Sequence, residues 1–208
     1  MEVPLVYRRY GPGEAIYCRG EEGGTLCVLL EGAAKLFVNY PGHAGPKEAI
    51  FGLLGPFDVF GHPVFAGRRK RRASAEAFTD CEVARVPMAF LERGIRRRPE
   101  VALGLVTLSE VALFEQEEMI GCLLPFRTEG RLANLLPILA RKFGEPSPGG
   151  GTIVGLRLTR QDLAAMTAAT RESVTAAIFG LRDRGLIRME RGRVVILDPQ
   201  GLAGIARG

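Results

Sequence analysis

The stretch Leu158-Thr-Arg-Gln-Asp-Leu-Ala-Ala-Met-Thr-Ala-Ala-Thr-Arg-Glu-Ser-Val-Thr-Ala-Ala-Ile178 decides how the C-terminal part of the chain folds. Thr159 and Asp162 have the spacing of a capping box, which predicts the start of one short helix. Thr170, eleven residues after Thr159, is a suitable N-cap for a second helix. Two short helices with so tight a joint predict a helix-turn-helix, whose second helix faces outward.

The segments on either side of this motif predict the rest of a small C-terminal domain. On its N-terminal side, a helix is predicted over residues 128–143, and residues 145–151 are predicted to be a loop because of their Pro and Gly content. On its C-terminal side, residues 186–197 predict two strands about Arg191-Gly192, which would form the wing of a winged helix. The predicted inner side of the helix carries Leu132, Leu135, Leu136 and Leu139.

The first third of the chain is rich in turn residues. Residues 11–67 contain twelve glycines between short β-prone runs, which is typical of an antiparallel sandwich or barrel. After the last of these runs, a short helix is predicted over residues 87–93, with a break at Gly94. The runs are residues 25–30, 34–38, 49–54 and 81–86.

Residues 99–124 predict one long helix, because proline is tolerated in a first turn and Pro125 closes the segment. Its apolar residues form two sets, one on heptad spacing interrupted by Glu110 and Glu117, and one beside it. A small β-domain covers one face of such a helix, so the other face is predicted to meet the same helix of a second subunit. A helix buried within a single chain is the alternative. The predicted dimer contacts are Leu113, Ile120 and Leu124.

Charge is divided unevenly along a chain whose composition is that of an ordinary globular protein. Residues 1–124 hold 15 Lys and Arg against 16 Asp and Glu, whereas residues 125–208 hold 13 against 7. A compact basic module favours a polyanion as partner, because neutralised phosphates release their counterions. Charge alone is equally compatible with a solvated basic surface.

The supply of reactive side chains is poor for catalysis. The chain has two histidines, His43 and His62, and four cysteines without a C-x-x-C pair, and it lacks a phosphate-binding loop or a hydrolase motif. Neither an enzyme nor a metal site is therefore predicted. Because no apolar run is long enough for a membrane span and the N-terminus lacks a signal-peptide pattern, the predicted location is the cytoplasm, with no membrane partner.

Four motifs resemble, in order, segments of the cAMP receptor protein/FNR (CRP/FNR) family of bacterial transcription regulators. Residues 13–36 resemble the opening of that family's β-roll sensor domain, and residues 54–61 resemble its glycine-rich stretch before the effector pocket. Residues 121–133 resemble the hinge, and residues 158–174 resemble the helix-turn-helix signature. The likeness covers nearly the whole chain.

The resemblance implies an α+β fold in three parts. Residues 1–98 would form an effector-type domain, which is an antiparallel β-roll similar to a jelly roll. Residues 99–124 would form a dimerisation helix. Residues 125–208 would form a winged helix-turn-helix DNA-binding domain. The implied function is a sequence-specific transcription regulator that binds double-stranded DNA as a homodimer on an inverted-repeat site. Activation is the commoner role in the family, and activators of this kind also contact RNA polymerase.

The resemblance also assigns candidate DNA contacts. Arg171 matches the family's arginine that binds a guanine edge, and Glu172 matches the glutamate that accepts from a cytosine amino group. The next family contact falls near Thr175 and Ala176, and because Ala176 cannot donate, recognition of that base pair is expected to be weaker or different. A solvated ion pair is the alternative for Arg171 and Glu172. Predicted phosphate contacts are Thr159, Arg160, Gln161 and Thr170 at helix N-termini, and Arg188, Arg191 and Arg193 on the wing.

The effector pocket departs from the family pattern. Members that respond to cAMP bind ribose with a Gly-Glu, the cyclic phosphate with an Arg-Ser pair and the base with a Thr-Ser pair. Here the corresponding pairs are Gly61-His62, Arg71-Arg72 and Gln116-Glu117, so only the arginine remains. These six residues are the candidate effector pocket, and the sequence predicts a regulator that is independent of cAMP and has no cofactor.

Other functions stay open as alternatives. An effector-dependent regulator would sense haem or a gas through His62, a redox change through its cysteines, or an anion through the basic run 68–72, although the cysteine spacing does not match an iron–sulfur ligand set. A cupin-type enzyme would need a cluster of histidines on its barrel strands. A cyclic-nucleotide-binding module that does not bind DNA would not need the basic helix-turn-helix.

Overall fold

The computed structural model describes residues 5–42, 47–61, 70–125 and 127–207. The chain divides into two compact units, residues 1–116 and 117–208. The division falls inside one long helix. The domain boundaries predicted after residues 98 and 124 stay predictions.

The first unit contains two antiparallel sheets that share one core. Its strands are β1 (Val6–Tyr10), β2 (Ala15–Tyr17), β3 (Thr25–Glu31), β4 (Ala34–Tyr40), β5 (Lys47–Leu54), β6 (Val59–Phe60), β7 (Ser74–Ala77) and β8 (Cys81–Pro87). One sheet has the order β1-β8-β3-β6, and the other has the order β2-β7-β4-β5. Leu29 and Phe60 from the first sheet meet Ile16 and Ala34 from the second in a common apolar cluster, because alternate residues of a strand point to the same face.

The four β-prone runs of the sequence lie in β3, β4, β5 and β8, so these strand predictions are confirmed. The strands β1, β2, β6 and β7 were not predicted. They are short or carry arginine, glutamate and small residues, and their pairing with longer neighbours supplies the backbone hydrogen bonds that their own sequences do not indicate.

Two helices follow the sheets, α1 (Met88–Arg97) and α2 (Glu100–Gly121). The predicted break at Gly94 is wrong, because α1 continues through this residue. Glycine costs about 1 kcal/mol in a helix interior, but Ile95, directly after Gly94, packs against the same buried cluster as Met88 and Leu91, which favours one continuous helix. The predicted long helix is present, although it ends at Gly121 rather than at residue 124.

The second unit combines helices with a small sheet. After α2 come α3 (Thr128–Phe143), β9 (Gly144–Pro146), β10 (Thr152–Val154), α4 (Arg160–Thr167), α5 (Arg171–Asp183), β11 (Ile187–Glu190), β12 (Arg193–Ile196) and α6 (Pro199–Arg207). The strands are ordered β11-β12-β10-β9. The predicted helix over residues 128–143 is confirmed, its four inner leucines are at most 3% exposed, and α6 packs against it.

One prediction in this unit is wrong. Residues 145–151 do not form a loop throughout, because β9 pairs with β10 and extends the sheet beyond β12. Gly150 and Gly151, both with positive φ, turn the chain between the two strands. The pairing of β11 with β12 about Arg191-Gly192 confirms the predicted wing. Within the described ranges, every helix is either too short or too polar to cross a lipid bilayer.

Candidate nucleic-acid interface

The helix-turn-helix consists of α4 and α5, and side chains cap both helices. The Thr159 backbone N–H donates to the Asp162 carboxylate over 2.8 Å, and the Asp162 backbone N–H donates to the Thr159 hydroxyl over 3.1 Å. This is the predicted capping box. At the start of α5, the Ser173 backbone N–H donates to the Thr170 hydroxyl over 3.2 Å. The caps satisfy helix-end donors that would otherwise lack a partner.

The joint between α4 and α5 is short because Ala168 adopts the left-handed conformation, with φ of 50°. A left-handed residue ends a helix and redirects the chain, a position at which glycine is usual and alanine is strained. The tightness of this joint fixes the direction in which α5 leaves α4.

Arg131 on α3 stabilises the joint, a role that was not predicted from the sequence. Its Nη1 donates to the Thr167 carbonyl over 2.9 Å and its Nε donates to the Pro125 carbonyl over 2.9 Å. One guanidinium therefore ties the end of α4 to the segment that precedes α3. Only its place in the hinge motif marked this residue, because nothing local in the sequence shows which carbonyls an arginine reaches.

Arg171 and Glu172 are both exposed in the first turn of α5. The Arg171 guanidinium forms no hydrogen bond or ion pair with any residue in the described ranges. Hydrogen bonds from its own backbone N–H and from the Thr170 hydroxyl, aided by nearby Arg171, hold the pKa of the Glu172 carboxyl below its usual value. The carboxylate, which is ionised at neutral pH, can act as an acceptor, as contact with a cytosine amino group would require.

The next turn of α5 differs chemically from the first. The Thr175 hydroxyl donates to the Arg171 carbonyl over 2.7 Å, so its proton is already used inside the helix. Ala176 and Phe179 are exposed, and together with Arg171, Glu172 and Thr175 they line one shallow surface depression. Phe179 was not predicted from the sequence, although its spacing of four residues from Thr175 and eight from Arg171 places it on the same helix face.

The three wing arginines that were predicted to contact phosphate have different surroundings. Arg191 is exposed at the turn, where it and Gly192 both have positive φ, and Arg193 is half-buried. The Arg188 side chain is half-buried and bonded to other residues of the protein. Its Nη2 lies 2.9 Å from Glu190 Oε2 and 2.9 Å from Ser147 Oγ, and its Nη1 donates to the Gly149 carbonyl over 3.1 Å. These bonds join the wing to the turn of the β9–β10 hairpin.

The remaining predicted phosphate contacts lie at the N-termini of the two short helices. Thr159 and Thr170 are exposed, but their hydroxyls form the cap bonds, and Gln161 is exposed while Arg160 is half-buried. Backbone N–H groups at a helix N-terminus suit a phosphate oxygen. The two N-termini are therefore placed in one unit with the exposed face of α5.

Arg71, one of the predicted effector-pocket residues in the first unit, is buried and only 3% exposed. Its Nη1 donates to the Gly61 carbonyl over 2.6 Å, and its Nη2 donates to the Thr25 carbonyl over 2.8 Å. The guanidinium also lies 4.3 Å from the centre of the Tyr17 ring. A Cβ at Gly61, which has φ of 81°, would collide with this guanidinium, so the close approach of Arg71 requires glycine at this position.

The other members of the predicted pocket are not gathered around Arg71 by any contact in the described ranges. Arg72 and Glu117 are exposed, and Gln116 is half-buried on α2. His62 lies outside the described residues. The structure therefore brings together Gly61 and Arg71, while the residues that replace the base-contacting pair stay a prediction.

The cysteines bear on the redox alternative. All four lie within the described ranges and are free thiols, three of them buried. Burial raises the pKa of the Cys81 and Cys122 thiols to about 11, and it also raises the pKa of Cys27. Thiols of this kind are protonated at neutral pH and react slowly. Within the described ranges, no group of three metal-ligating side chains comes together.

Comparison with known proteins agrees with this architecture. A model of the Crp-like helix-turn-helix domain matches residues 130–205, and a model of the cyclic nucleotide-binding domain matches residues 7–98. The helix-turn-helix match covers the capped helices and the wing, and the other match covers both sheets of the first unit.

Relatives match over nearly the whole chain. A global nitrogen regulator from Synechococcus elongatus is 31% identical over 204 residues, which is 97% of this chain and 90% of that protein. A cyclic AMP receptor protein from Thermus thermophilus is 30% identical over 97% of this chain and 88% of its own. A solved CRP-family transcriptional regulator, also from Thermus thermophilus, superposes with a TM-score of 0.79 at 27% identity over 97% of both chains. This chain belongs to the CRP/FNR family of transcription regulators.

Proposed function

We propose that this chain activates transcription as a homodimer that reads an inverted-repeat DNA site in the cytoplasm without requiring cAMP. The exposed pair of Arg171 and Glu172 carries the proposal. A guanidinium suited to a guanine edge lies beside an ionised carboxylate suited to a cytosine amino group, on a helix that its caps and Arg131 fix in place.

The exposed side of α2 supports the homodimer. Leu103 is 70% exposed, and two of the predicted dimer contacts, Leu113 and Ile120, are 57% and 61% exposed. The third, Leu124 just beyond the helix, is 82% exposed. Large apolar side chains at this spacing are favourable only when a second helix covers them. A twofold dimer presents two recognition helices about one DNA turn apart, so half-sites are expected roughly 10 base pairs apart, centre to centre.

The bonds of Arg71 support independence from cAMP. The two terminal nitrogens of the guanidinium donate to carbonyls and the group lies over the Tyr17 ring, so a cyclic phosphate bound by those nitrogens would have to displace these contacts. Titration calorimetry with cAMP is the direct test, and we expect no micromolar binding. Micromolar affinity coupled to tighter DNA binding would show that cAMP is the effector.

The wing contributes general affinity for DNA through Arg191 and Arg193. We assign Arg188 instead to positioning the wing, because Glu190, Ser147 and Gly149 occupy its guanidinium. The hairpin turn that Arg188 holds is our candidate surface for RNA polymerase, the partner that an activating role requires.

The test of the proposed function begins with selection of a binding site from random DNA by the full-length protein. Affinities of the wild type and Arg171→Ala are then compared on the selected site and on random duplexes. The variant is expected to lose about 1–3 kcal/mol on the selected site and much less on random DNA. Arg97→Ala, which removes an exposed arginine of the first unit, is the control. Equal losses by Arg171→Ala on both DNAs would refute base reading by α5.

A further inference from the structure

The outward face of α5 changes from polar to apolar within one turn. Arg171 and Glu172 carry charge, whereas the positions that follow on the same depression are Thr175, Ala176 and Phe179. The buried apolar face of α5 lies elsewhere and consists of Val174, Ala177, Ile178 and Leu181. Thr175, Ala176 and Phe179 are therefore not needed for packing of the second unit.

Thr175 cannot donate a hydrogen bond to a base acceptor while its hydroxyl keeps the bond seen in the structure. Its hydroxyl donates to the Arg171 carbonyl over 2.7 Å, so it has no proton left for an oxygen or nitrogen on a base edge. A threonine that bonds in this way to the carbonyl four residues earlier also has a fixed side-chain rotamer. Its γ-methyl is then held in one direction.

Phe179 is 47% exposed, an unusual state for a ring on a helix whose other large apolar residues are buried. The guanidinium carbon of Arg182 lies 4.7 Å from the centre of this ring, and Arg182 pairs with Asp183 over 3.2 Å. The cation–π contact steadies the ring in the exposed position. The same contact brings a positive charge beside the ring, which suits a surface close to phosphate.

Thymine carries the one apolar group among the base edges of the DNA major groove, its 5-methyl. We propose, building on the DNA-reading role given above, that Thr175, Ala176 and Phe179 form an apolar strip that reads thymine methyl groups next to the base pairs read by Arg171 and Glu172. Contact with thymine methyl groups would take the place of the polar base contact that the family motif predicts near Thr175 and Ala176. Specificity at these positions is then for thymine over cytosine, guanine and adenine.

Replacing thymine by deoxyuridine tests the proposal, because the substitution removes the methyl and leaves base pairing unchanged. Each thymine of the selected site is replaced in turn in both half-sites, and the affinity of the full-length protein is measured by fluorescence anisotropy. At thymines next to the Arg171-dependent base pairs, we expect about fourfold weaker binding for each methyl buried, as the transfer free energy of one such group implies.

Two variants of Thr175 assign the contact. Thr175→Val keeps the methyl without the hydroxyl, so its binding should remain sensitive to deoxyuridine. Thr175→Ser keeps the hydroxyl without the methyl. At the one thymine that Thr175 contacts, this variant should bind the thymine and deoxyuridine sites equally. Phe179→Ala should remove the sensitivity at a neighbouring position. Variants that keep the full deoxyuridine effect would overturn the proposal, because other residues would then read the methyls.

The proposed function and the methyl strip fail in different ways. If no thymine adjoins the Arg171-dependent pairs, or if deoxyuridine has no effect there while Arg171→Ala still loses specific binding, the strip is refuted and base reading by α5 stands. If Arg171→Ala weakens specific and random binding equally, base reading itself is refuted. A deoxyuridine effect that disappears in Thr175→Ser and persists in Thr175→Val supports the strip.

Discussion

Arg71 in the first unit and Arg171 in the second are the same side chain in opposite environments. Arg71 is buried and donates to the carbonyls of Gly61 and Thr25, whereas the guanidinium of Arg171 is exposed and forms no hydrogen bond with the described residues. Each was predicted to bind a ligand because it occupies a position in a family motif. The difference shows that an arginine at a motif position is available to a ligand only if the surrounding backbone leaves it unpaired.

Backbone N–H groups and backbone carbonyls need partners of opposite kinds. In the second unit, side-chain oxygens of Thr159, Asp162 and Thr170 accept from helix-end N–H groups, which an arginine cannot do because it only donates. In the first unit, the carbonyls of Gly61 and Thr25 depend on Arg71. A buried acceptor without a donor is costly, and the guanidinium therefore stabilises the fold where a ligand-binding residue was predicted.

Replacing Arg71 should have the largest effect on stability. Arg71→Ala leaves the buried Gly61 carbonyl and the partly buried Thr25 carbonyl without their charged donor, so we expect the free energy of unfolding to fall by about 3 kcal/mol. Urea unfolding of the full-length protein, followed by circular dichroism, measures this. Arg72→Ala, an exposed neighbour, should change it by less than about 0.5 kcal/mol. Equal effects of the two variants would contradict the structural role of Arg71.

Arg131 is the counterpart of Arg71 in the second unit, since it also donates to backbone carbonyls. Arg131→Ala removes bonds to the Pro125 and Thr167 carbonyls, and we expect a loss of about 2 kcal/mol, smaller because the site is only partly buried. Hydrogen exchange of the α4 and α5 amides in the full-length protein reports this loss. Arg127→Ala, an exposed arginine one turn earlier, should leave the exchange rates unchanged.

Arg71 and Arg131 show which features of the structure could not be predicted from the sequence. Capping residues, leucine spacing and turn residues act within a few positions, and they predicted α3, the helix-turn-helix and the wing. The acceptors of Arg71 lie 10 and 46 positions away, and Arg131 reaches Thr167 across 36 positions. Such pairings follow from the tertiary fold, so no local pattern could indicate them.

The candidate interface was likewise only partly predictable. Arg171, Glu172 and Thr175 were found through a family motif, whereas Phe179 lay outside that motif and was missed. The bond between the Thr175 hydroxyl and the Arg171 carbonyl depends on side-chain rotation, which sequence does not specify. The pairing of β9 with β10 was missed for another reason, because its Pro- and Gly-rich residues indicate a loop and the neighbouring β12 provides the edge that they extend.

The wing allows a comparison of two arginines of one hairpin, Arg188, which is bonded within the protein, and Arg191, which is exposed at the turn. Arg191→Ala should weaken binding to specific and random DNA alike and lower the slope of log affinity against log salt by about 0.9, the value for one phosphate. Arg188→Ala should leave that slope nearly unchanged, since Glu190 and Ser147 occupy its guanidinium. Anisotropy titrations at several salt concentrations measure both slopes. If Arg188→Ala also lowered this slope by about 0.9, Arg188 would contact a phosphate after all.

The smallest predicted effect concerns Ala168, the strained residue at the joint of the helix-turn-helix. In the left-handed conformation, an alanine costs about 1–2 kcal/mol that a glycine does not. Glycine loses about 0.4–1 kcal/mol more on folding because its unfolded chain is freer. The difference favours Ala168→Gly, which should stabilise the second unit by up to about 1 kcal/mol, measured by hydrogen exchange of the α4 and α5 amides.

The opposite sign is expected three residues earlier. Ala165 lies inside α4, where glycine gains nothing from a positive φ and costs about 1 kcal/mol of helix stability. Ala165→Gly should therefore speed exchange of the same amides that Ala168→Gly protects. If both variants were destabilising, the joint would not store strain at Ala168. The tightness of the joint would then depend on the hydrogen bonds of Arg131 rather than on this residue's conformation.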